Sequence, residues 1–140
     1  MPIEGFDYKA FAASMSEQAK ELVPPELEDR EKEYIVKTIV TTEIIKDIAN
    51  KNGVEMFDCF TGFKWIAGVI RENEGKKTYI GGGEESYGFL PEDFCRDKDA
   101  VSSCTLMAEI TAWAKDNGKT LFELLQDIYI EYGYGKEKGI

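Results

Sequence analysis

From residue 34 onward, short β-branched runs alternate with longer stretches in which apolar residues recur at helical spacing. The first run, YIVKTIV over residues 34–40, is almost continuously apolar, which is typical of a strand covered on both faces. The pattern predicts, in order, a strand over 34–40, a helix over 41–50, a strand over 54–59, a helix from Thr61-Gly62 to Gly75, a strand over 77–80 and a glycine-rich loop over 81–88.

After Phe94 the apolar spacing is helical. One predicted helix is capped by Asp97 or Asp99 and is apolar nearly all round, so we expect it to be buried on more than one side. A second helix opens at Thr120 with the capping-box spacing to a glutamate and ends at Gly133. Residues 134–140 are predicted to be a frayed tail.

The N-terminal part, residues 1–33, has a different pattern of apolar and charged residues. Residues 7–22 have the spacing of an amphipathic helix, which Pro24-Pro25 would stop, and residues 26–33 are densely charged. We therefore predict a boundary near Glu33. Residues 1–33 form a helical extension or a linker, and residues 34–140 form an α/β domain.

Strands that alternate with helices favour an α/β fold. We expect a three-layer α/β/α arrangement around a small mixed, mainly parallel sheet, with the N-terminal helical extension added to it. Parallel strands end at the same edge of a sheet, and ligands bind outside that edge. This topology predicts that Lys64, in the loop after the second strand, lies on the same side as Glu84, Glu85 and Ser86 of the glycine loop.

Charge and composition exclude several classes of function. The chain has 140 residues and a formal net charge of −10, which disfavours nucleic acid or an anionic membrane as a partner. The sequence contains no histidine, which removes Ser-His-Asp and Cys-His catalysis. Its three cysteines lack metal-site spacing and are predicted to be reduced thiols, and we see no signal peptide. We therefore expect a cytoplasmic protein.

The glycine loop is the main candidate for ligand binding. Glycines let a ligand approach the backbone closely, and we expect Glu84, Glu85 and Ser86 to point from the strand end into open space. Carboxylates accept strong hydrogen bonds, which suits a ligand rich in hydroxyl groups, such as a sugar. The alternative is a glycine-rich turn whose glutamates are merely solvated.

Two lysines are further candidates. Lys64 lies in the first turn of a predicted helix, where it is either an anion ligand or an ordinary solvated lysine. Lys98 is placed at another helix start, where a cation is unfavourable unless an anion, such as a phosphate, lies nearby. Neither a dinucleotide fingerprint nor a P-loop is present, and no clustered aspartates form a metal cage.

Four segments in order resemble the third domain of the α-D-phosphohexomutases, in their phosphoglucomutase/phosphomannomutase branch. They are IVKTIVTT (35–42), TGFKWI (61–66), GGEESYG (82–88) and RDKD (96–99), and the resemblance extends over residues 34–133. Members of this family interconvert hexose 1- and 6-phosphates through a bisphosphorylated intermediate, using a phosphoserine and Mg²⁺.

The resemblance implies roles for individual residues. Glu84 and Ser86 would hydrogen-bond adjacent sugar hydroxyls in two flipped orientations of the substrate. Lys64 would line the active cleft, and Lys98 would face the catalytic centre. Gly83 and Glu85 complete the predicted substrate-binding set, which contains no catalytic residue.

The family's phosphoserine loop, its Asp-x-Asp-x-Asp metal segment and its C-terminal phosphate loop do not occur in this sequence, and residues 1–33 do not resemble the family. We therefore expect one domain of a four-domain enzyme, inactive alone, that binds no cofactor itself, with Mg²⁺ implied for the full-length enzyme. Its expected partners are a hexose phosphate and the other domains. The alternatives are an autonomous non-catalytic interaction module and a hydrolase that uses Glu84 or Glu85.

Overall fold

A computed structural model of the chain describes residues 32–136. The elements in this range are β1 (Glu33–Thr38), α1 (Ile44–Lys51), β2 (Glu55–Cys59), α2 (Phe63–Asn73), β3 (Thr78–Gly83), β4 (Phe89–Leu90), α3 (Ala100–Asp116) and α4 (Leu121–Tyr132). The predicted helix over 7–22, Pro24-Pro25 and nearly all of the charged stretch lie outside the described residues, as does the end of the predicted tail.

The four strands form one sheet in the order β2-β1-β3-β4. The central strand β1 pairs in parallel with β2 on one side and with β3 on the other, whereas the short β4 pairs with β3 in the antiparallel direction. The prediction of an α/β fold with a small mixed, mainly parallel sheet is thus confirmed. The strand β4 has only two residues, and the apolar pattern did not reveal it.

Alternate side chains of β1 face opposite sides of the sheet. On one side Tyr34 and Val36 pack against α2, in a buried cluster with Phe63, Ile66, Ile70, Tyr79 and Leu90. Fully burying an aliphatic side chain such as Ile66 stabilises the fold by about 1.5–3 kcal/mol. The helix α1 contacts β2 and α4. It lies in the connection from β1 to β2, whereas α2 lies in the connection that runs back from β2 to β3, so right-handed crossovers place the two helices on opposite faces of the sheet.

The first strand is shorter than predicted. It ends at Thr38 rather than residue 40, because the amide of Thr41 bonds the carbonyl of Thr38 at 3.0 Å and turns the chain. The next two residues, Ile39 and Val40, are exposed rather than buried. The helix α1 consequently begins at Ile44, whose amide donates to the hydroxyl of Thr42 at 3.3 Å.

The third strand is longer than predicted, because the three glycines belong to it. A Cβ atom at Gly82 would lie 2.4 Å from the carbonyl oxygen of Val36 and 2.7 Å from the hydroxyl of Tyr79. A Cβ at Gly83 would lie 2.8 Å from the carbonyl oxygen of Gly88. The glycines at 82 and 83 are thus explained by the close approach of neighbouring backbone within the sheet.

The prediction that the first C-terminal helix is buried on more than one side is wrong for the described residues. Within α3 only Ala114 is buried, and Val101 is 74% exposed. The reason is that α3 contacts β4 and α4 and leaves its remaining surface open. No helix between residues 32 and 136 is long and apolar enough to cross a membrane.

The predicted starts of the two C-terminal helices are confirmed, whereas α1 begins after Glu43 rather than after Thr41 or Thr42. Asp99 caps α3 by accepting hydrogen bonds from the amides of Val101 and Ser102, both at 3.0 Å. Thr120 and Glu123 form the capping box of α4, with both reciprocal hydrogen bonds present. Gly133 follows the last residue of α4 with φ 100°, a conformation that favours glycine.

The close approach at Gly82 predicts a specific cost for adding one methyl group. We expect Gly82→Ala to lower the free energy of unfolding by about 1–3 kcal/mol, because the new Cβ has no room against the Val36 carbonyl. Urea denaturation measures this change.

The matched control is Gly68→Ala in α2, where a Cβ would meet nothing within 4 Å. Alanine is the better helix former, so this variant should be more stable by about 0.5–1 kcal/mol. Equal effects of the two substitutions would contradict the packing that we describe for β3.

Candidate functional site

The three parallel strands end together at one edge of the sheet. Thr38 at the end of β1 is in register with Cys59 at the end of β2, and Lys37 is in register with Gly83 at the end of β3. The segments 39–43, 60–62 and 84–88 leave this edge. We call it the carboxyl edge.

Glu84 does not point into open space as the sequence suggested. Its side chain is only 4% exposed, and its Oε1 atom lies 2.7 Å from Nζ of Lys98. A Cβ at Gly88 would lie 2.6 Å from the same oxygen, so the absence of a side chain at Gly88 makes room for the carboxylate. The backbone closes this turn with a hydrogen bond of 2.8 Å from the Glu84 amide to the Gly88 carbonyl.

Lys98 lies just before the N-terminus of α3, where a cation is unfavourable unless an anion is nearby. The carboxylate of Glu84 is that anion. The hydrogen bond to Glu84 is the main reason why the pKa of Lys98 is raised above its ordinary value. The position of Lys98 therefore does not by itself indicate a phosphate. About half of the Lys98 side chain is exposed, and an ammonium has three donors, so Lys98 remains available to a ligand.

The first turn of α2 meets this ion pair. Nζ of Lys98 lies 5.6 Å from the ring centroid of Phe63, the first residue of α2. Lys64 follows Phe63, is exposed, and places its own Nζ 5.3 Å from the ring centroid of Trp65. Among residues 32–136 it forms no hydrogen bond or ion pair with Glu84, Glu85 or Ser86. The helix start therefore meets the Glu84–Lys98 ion pair through the Phe63 ring, whereas the Lys64 ammonium lies over Trp65.

The rest of the glycine loop forms the exposed rim. Glu85 is exposed, and its Oε2 atom accepts a hydrogen bond of 2.8 Å from the hydroxyl of Thr38. Ser86 is exposed, and Tyr87 is fully exposed with φ 66°, which is unusual for a bulky residue. A pocket of about 330 Å³ lies between the loop and α3, and its lining includes Ser86, Tyr87, Lys98, Ser103, Cys104 and Met107.

A buried lysine at the same edge was not among the predicted site residues. Lys37 is 1% exposed, and its Nζ lies 2.8 Å from both Asp58 and Glu43. Burial works to lower the pKa of Lys37, but hydrogen bonds to Asp58 and Glu43 outweigh it and raise the pKa. The available signal was the position of Lys37 within the apolar run of residues 34–40, which is predicted to be buried on both faces. A buried charge has to be paired, so this lysine indicates acidic partners nearby.

The cysteine at this edge is a packed thiol. Cys59 is half-buried against the core cluster. Burial raises the pKa of the Cys59 thiol, and the nearby carboxylates of Asp58 and Glu84 raise it further. Since the thiolate is the nucleophile, this environment disfavours a catalytic role for Cys59.

The chain matches a family of known proteins over most of its length. The family model for phosphoglucomutase/phosphomannomutase, alpha/beta/alpha domain III, matches residues 10–132. The chain belongs to this family. The match includes residues 10–33, which we had placed before the domain, and the boundary near Glu33 stays a prediction.

Individual relatives support the same assignment. A phosphoglucomutase of Staphylococcus haemolyticus is 38% identical to this domain III over 104 residues, which are 74% of this chain and 19% of the relative. One of Staphylococcus aureus is 42% identical over 99 residues, which are 71% of this chain and 18% of the relative. The chain thus spans about a fifth of the length of these curated relatives.

The fold is also found in a crystal structure assigned as a phosphomannomutase from Thermus thermophilus. The two chains superpose with a TM-score of 0.61, and the match covers 71% of this chain and 21% of the other at 24% identity. At that identity the likeness shows the fold alone.

Phosphohexomutases use Mg²⁺, an ion that prefers carboxylate oxygens among protein ligands. Within residues 32–136 no group of three or more acidic, cysteine or histidine side chains is arranged to hold a metal ion. Asp58 and Glu84 are instead bound to Lys37 and Lys98. The described residues of domain III do not fit a Mg²⁺ site.

The Lys98–Glu84 pair predicts a pH-dependent contribution to stability. Because the pKa of Lys98 is raised on folding, the pair stabilises the fold fully below the ordinary lysine pKa of 10.5 and loses this effect as the pH rises through the raised pKa. We expect Lys98→Met to unfold at a lower urea concentration than the wild type at about pH 8. The difference should narrow above pH 10.5.

Lys64→Met is the control, because the Lys64 ammonium lies only over the Trp65 ring and meets no carboxylate among the described residues. It should change the urea midpoint little at either pH. A difference between Lys98→Met and the wild type that stays constant across the titration would show that the ammonium contributes nothing through Glu84.

Proposed function

We propose that this domain III recognises the sugar of a hexose phosphate for a phosphoglucomutase or phosphomannomutase. The observation that carries the proposal is the Glu84–Lys98 ion pair beside Ser86 at the carboxyl edge. In open α/β sheets this edge is where ligands bind. By the family resemblance, Glu84 and Ser86 accept and donate hydrogen bonds with adjacent sugar hydroxyls, which glucose and mannose share.

The remaining predicted residues fit the same role. Glu85 is an exposed acceptor on the rim, and Gly83 sets the close turn behind it. Lys98 has ammonium protons beyond the one that it gives to Glu84, and these suit a phosphate oxygen. Lys64, at the start of α2, supplies a second cation near the helix N-terminus, an arrangement that favours anions.

We infer that the chain alone does not turn over sugar phosphates. Phosphohexomutases carry their phosphoserine and their Mg²⁺ ligands outside domain III, and this chain corresponds to about a fifth of its curated relatives. A site shared between domains loses contacts and preorganisation when one domain is isolated, and the net charge of −10 opposes a phosphate. Binding to the isolated chain should be weak, with a dissociation constant of about 1 mM or more.

The free thiols of Cys59, Cys95 and Cys104 are consistent with a reducing, cytoplasmic location, which we also propose. The high negative charge of the chain makes nucleic acid and anionic membranes poor partners. The partners that fit are a hexose phosphate and the other domains of the enzyme.

The proposal is tested by titrating the chain with glucose 1-phosphate while recording backbone amide NMR spectra. We expect shifts at Glu84 and Ser86, which belong to a segment that leaves the carboxyl edge, and at Lys64, which lies in the first turn of α2 next to that edge. Glu85→Gln should weaken binding about three- to tenfold, since a charged acceptor is replaced by a neutral one.

Glu72→Gln is the matched control, because it makes the same charge change on an exposed residue near the far end of α2. Its affinity should equal that of the wild type. Shifts confined to surfaces away from residues 84–88, or equal loss in the two variants, would overturn the sugar-binding proposal. Turnover of glucose 1-phosphate by the chain alone would overturn the inference that it is inactive.

A second candidate is an autonomous, non-catalytic interaction module. It is favoured by the exposed apolar side chains of α3 and α4, which include Val101, Phe122 and Ile130. Sedimentation of the chain with and without residues 1–33 separates the two candidates. A change in association state, combined with no response to sugar phosphates, would favour the module.

A further inference from the structure

The hydroxyl of Thr38 links the central strand to the glycine loop. Thr38 is the last residue of β1 and is fully buried. Its Oγ1 atom donates a hydrogen bond of 2.8 Å to Oε2 of Glu85, which lies 47 residues further along the chain. A buried donor therefore holds one oxygen of an exposed carboxylate.

The direction of the hydrogen bonds follows from the number of protons. Oγ1 of Thr38 also lies 2.7 Å from Oγ1 of Thr41, and either atom can be the donor in that contact. A hydroxyl has one proton, and the carboxylate of Glu85 can only accept. Because Thr38 gives its proton to Glu85, Thr41 must donate to Thr38. Hydrogen bonds in such a series polarise and strengthen one another.

Lys37 fixes the first donor of this series. Its buried ammonium donates to the carbonyl oxygen of Thr41 at 3.3 Å and to Oε1 of Glu43 at 2.8 Å. It is also paired with Asp58 at the end of β2. The buried ammonium of Lys37 thus joins the loop that carries Thr41 to the sheet through hydrogen bonds and ion pairs.

The result is a difference between the two neighbouring glutamates. The carboxylate of Glu84 is buried and bound to Lys98, whereas Glu85 is exposed and is held through Oε2 alone. Among the described residues, Oε1 of Glu85 has no hydrogen-bond or ion-pair partner. That oxygen is therefore available to a ligand, at a position that the buried threonine sets.

We propose that Thr38 is a positioning residue, which orders the carboxylate of Glu85 at the carboxyl edge so that it accepts a hydrogen bond from a sugar hydroxyl. This inference rests on the proposed sugar-recognition function for the identity of the ligand. The ordering of Glu85 by Thr38 does not rest on it. Thr38 acts through Glu85 and does not itself contact the ligand.

The first test uses the full chain without ligand. Three-bond couplings about the Cα–Cβ bond of Glu85 should report one dominant rotamer in the wild type. Thr38→Val keeps the shape of the side chain and removes the hydroxyl. In this variant we expect the couplings to take values averaged over several rotamers of Glu85. Thr38→Ser should restore the wild-type values, because it returns the donor.

One further variant and one control residue make this test specific. Thr41→Val removes the outer donor and should give a smaller change at Glu85 of the same kind. The couplings of Glu72, which is exposed on α2, should be the same in every variant. Averaged couplings at Glu85 in the wild type, or no difference between Thr38→Val and Thr38→Ser, would overturn the positioning role.

The second test is a double-mutant cycle with glucose 1-phosphate as the probe. Thr38→Val should weaken binding about three- to tenfold, as Glu85→Gln does. Combining the two should cost no more than Glu85→Gln alone, because Thr38 acts through the carboxylate. If Thr38→Val acted only through a general structural effect, it would weaken binding by the same factor in the wild type and in Glu85→Gln. This outcome would overturn the proposal.

The two tests separate the inference from the proposed function. If the wild type does not respond to glucose 1-phosphate but Thr38→Val still averages the Glu85 rotamer, the sugar-binding function fails and the ordering of Glu85 by Thr38 stands. If the wild type binds and Thr38→Val changes neither readout, the function stands and Thr38 is not a positioning residue.

Discussion

The parallel pairing of β1 with both of its neighbours is the constraint on which the candidate site depends. Because β2 and β3 run in the same direction as β1, the three strands end at one edge, and the segments that follow them are brought together there. No residue of the glycine loop is near Thr38 in sequence, yet Glu85 lies within hydrogen-bonding distance of it. The absence of a side chain at Gly82 allows this pairing, since a Cβ would strike the backbone of β1.

The second general feature is the pairing of buried charged side chains at the carboxyl edge. Lys37 and Glu84 have almost fully buried side chains, and each has partners of opposite charge that are more exposed. A buried charge without such a partner would be costly, so these ion pairs fix the loops before any ligand arrives. A site that is already ordered loses less conformational entropy when a ligand binds to it.

The sequence predicted the order of the elements other than β4, the small mixed, mainly parallel sheet, the caps of α3 and α4, and the family. These follow from local periodicity, from capping chemistry and from short motifs, all of which are visible in one chain. It did not reveal the partner of Lys98, because a contact between residues 84 and 98 depends on how the turn at Gly88 folds back. It also could not show that α3 is largely exposed, since an apolar helix has the same pattern whether or not a neighbour covers it.

The candidate site requires that the start of α2 and the segment that carries Lys98, the partner of Glu84 in the glycine loop, meet at one edge of the sheet. The most direct measurement is a nuclear Overhauser effect between the ring protons of Phe63 and the ε-methylene protons of Lys98. The structure places Nζ of Lys98 5.6 Å from the centroid of that ring, so cross-peaks between the two side chains are expected. If the Phe63 ring shows contacts with the core but none with Lys98, the two segments do not converge and the account of the site is contradicted.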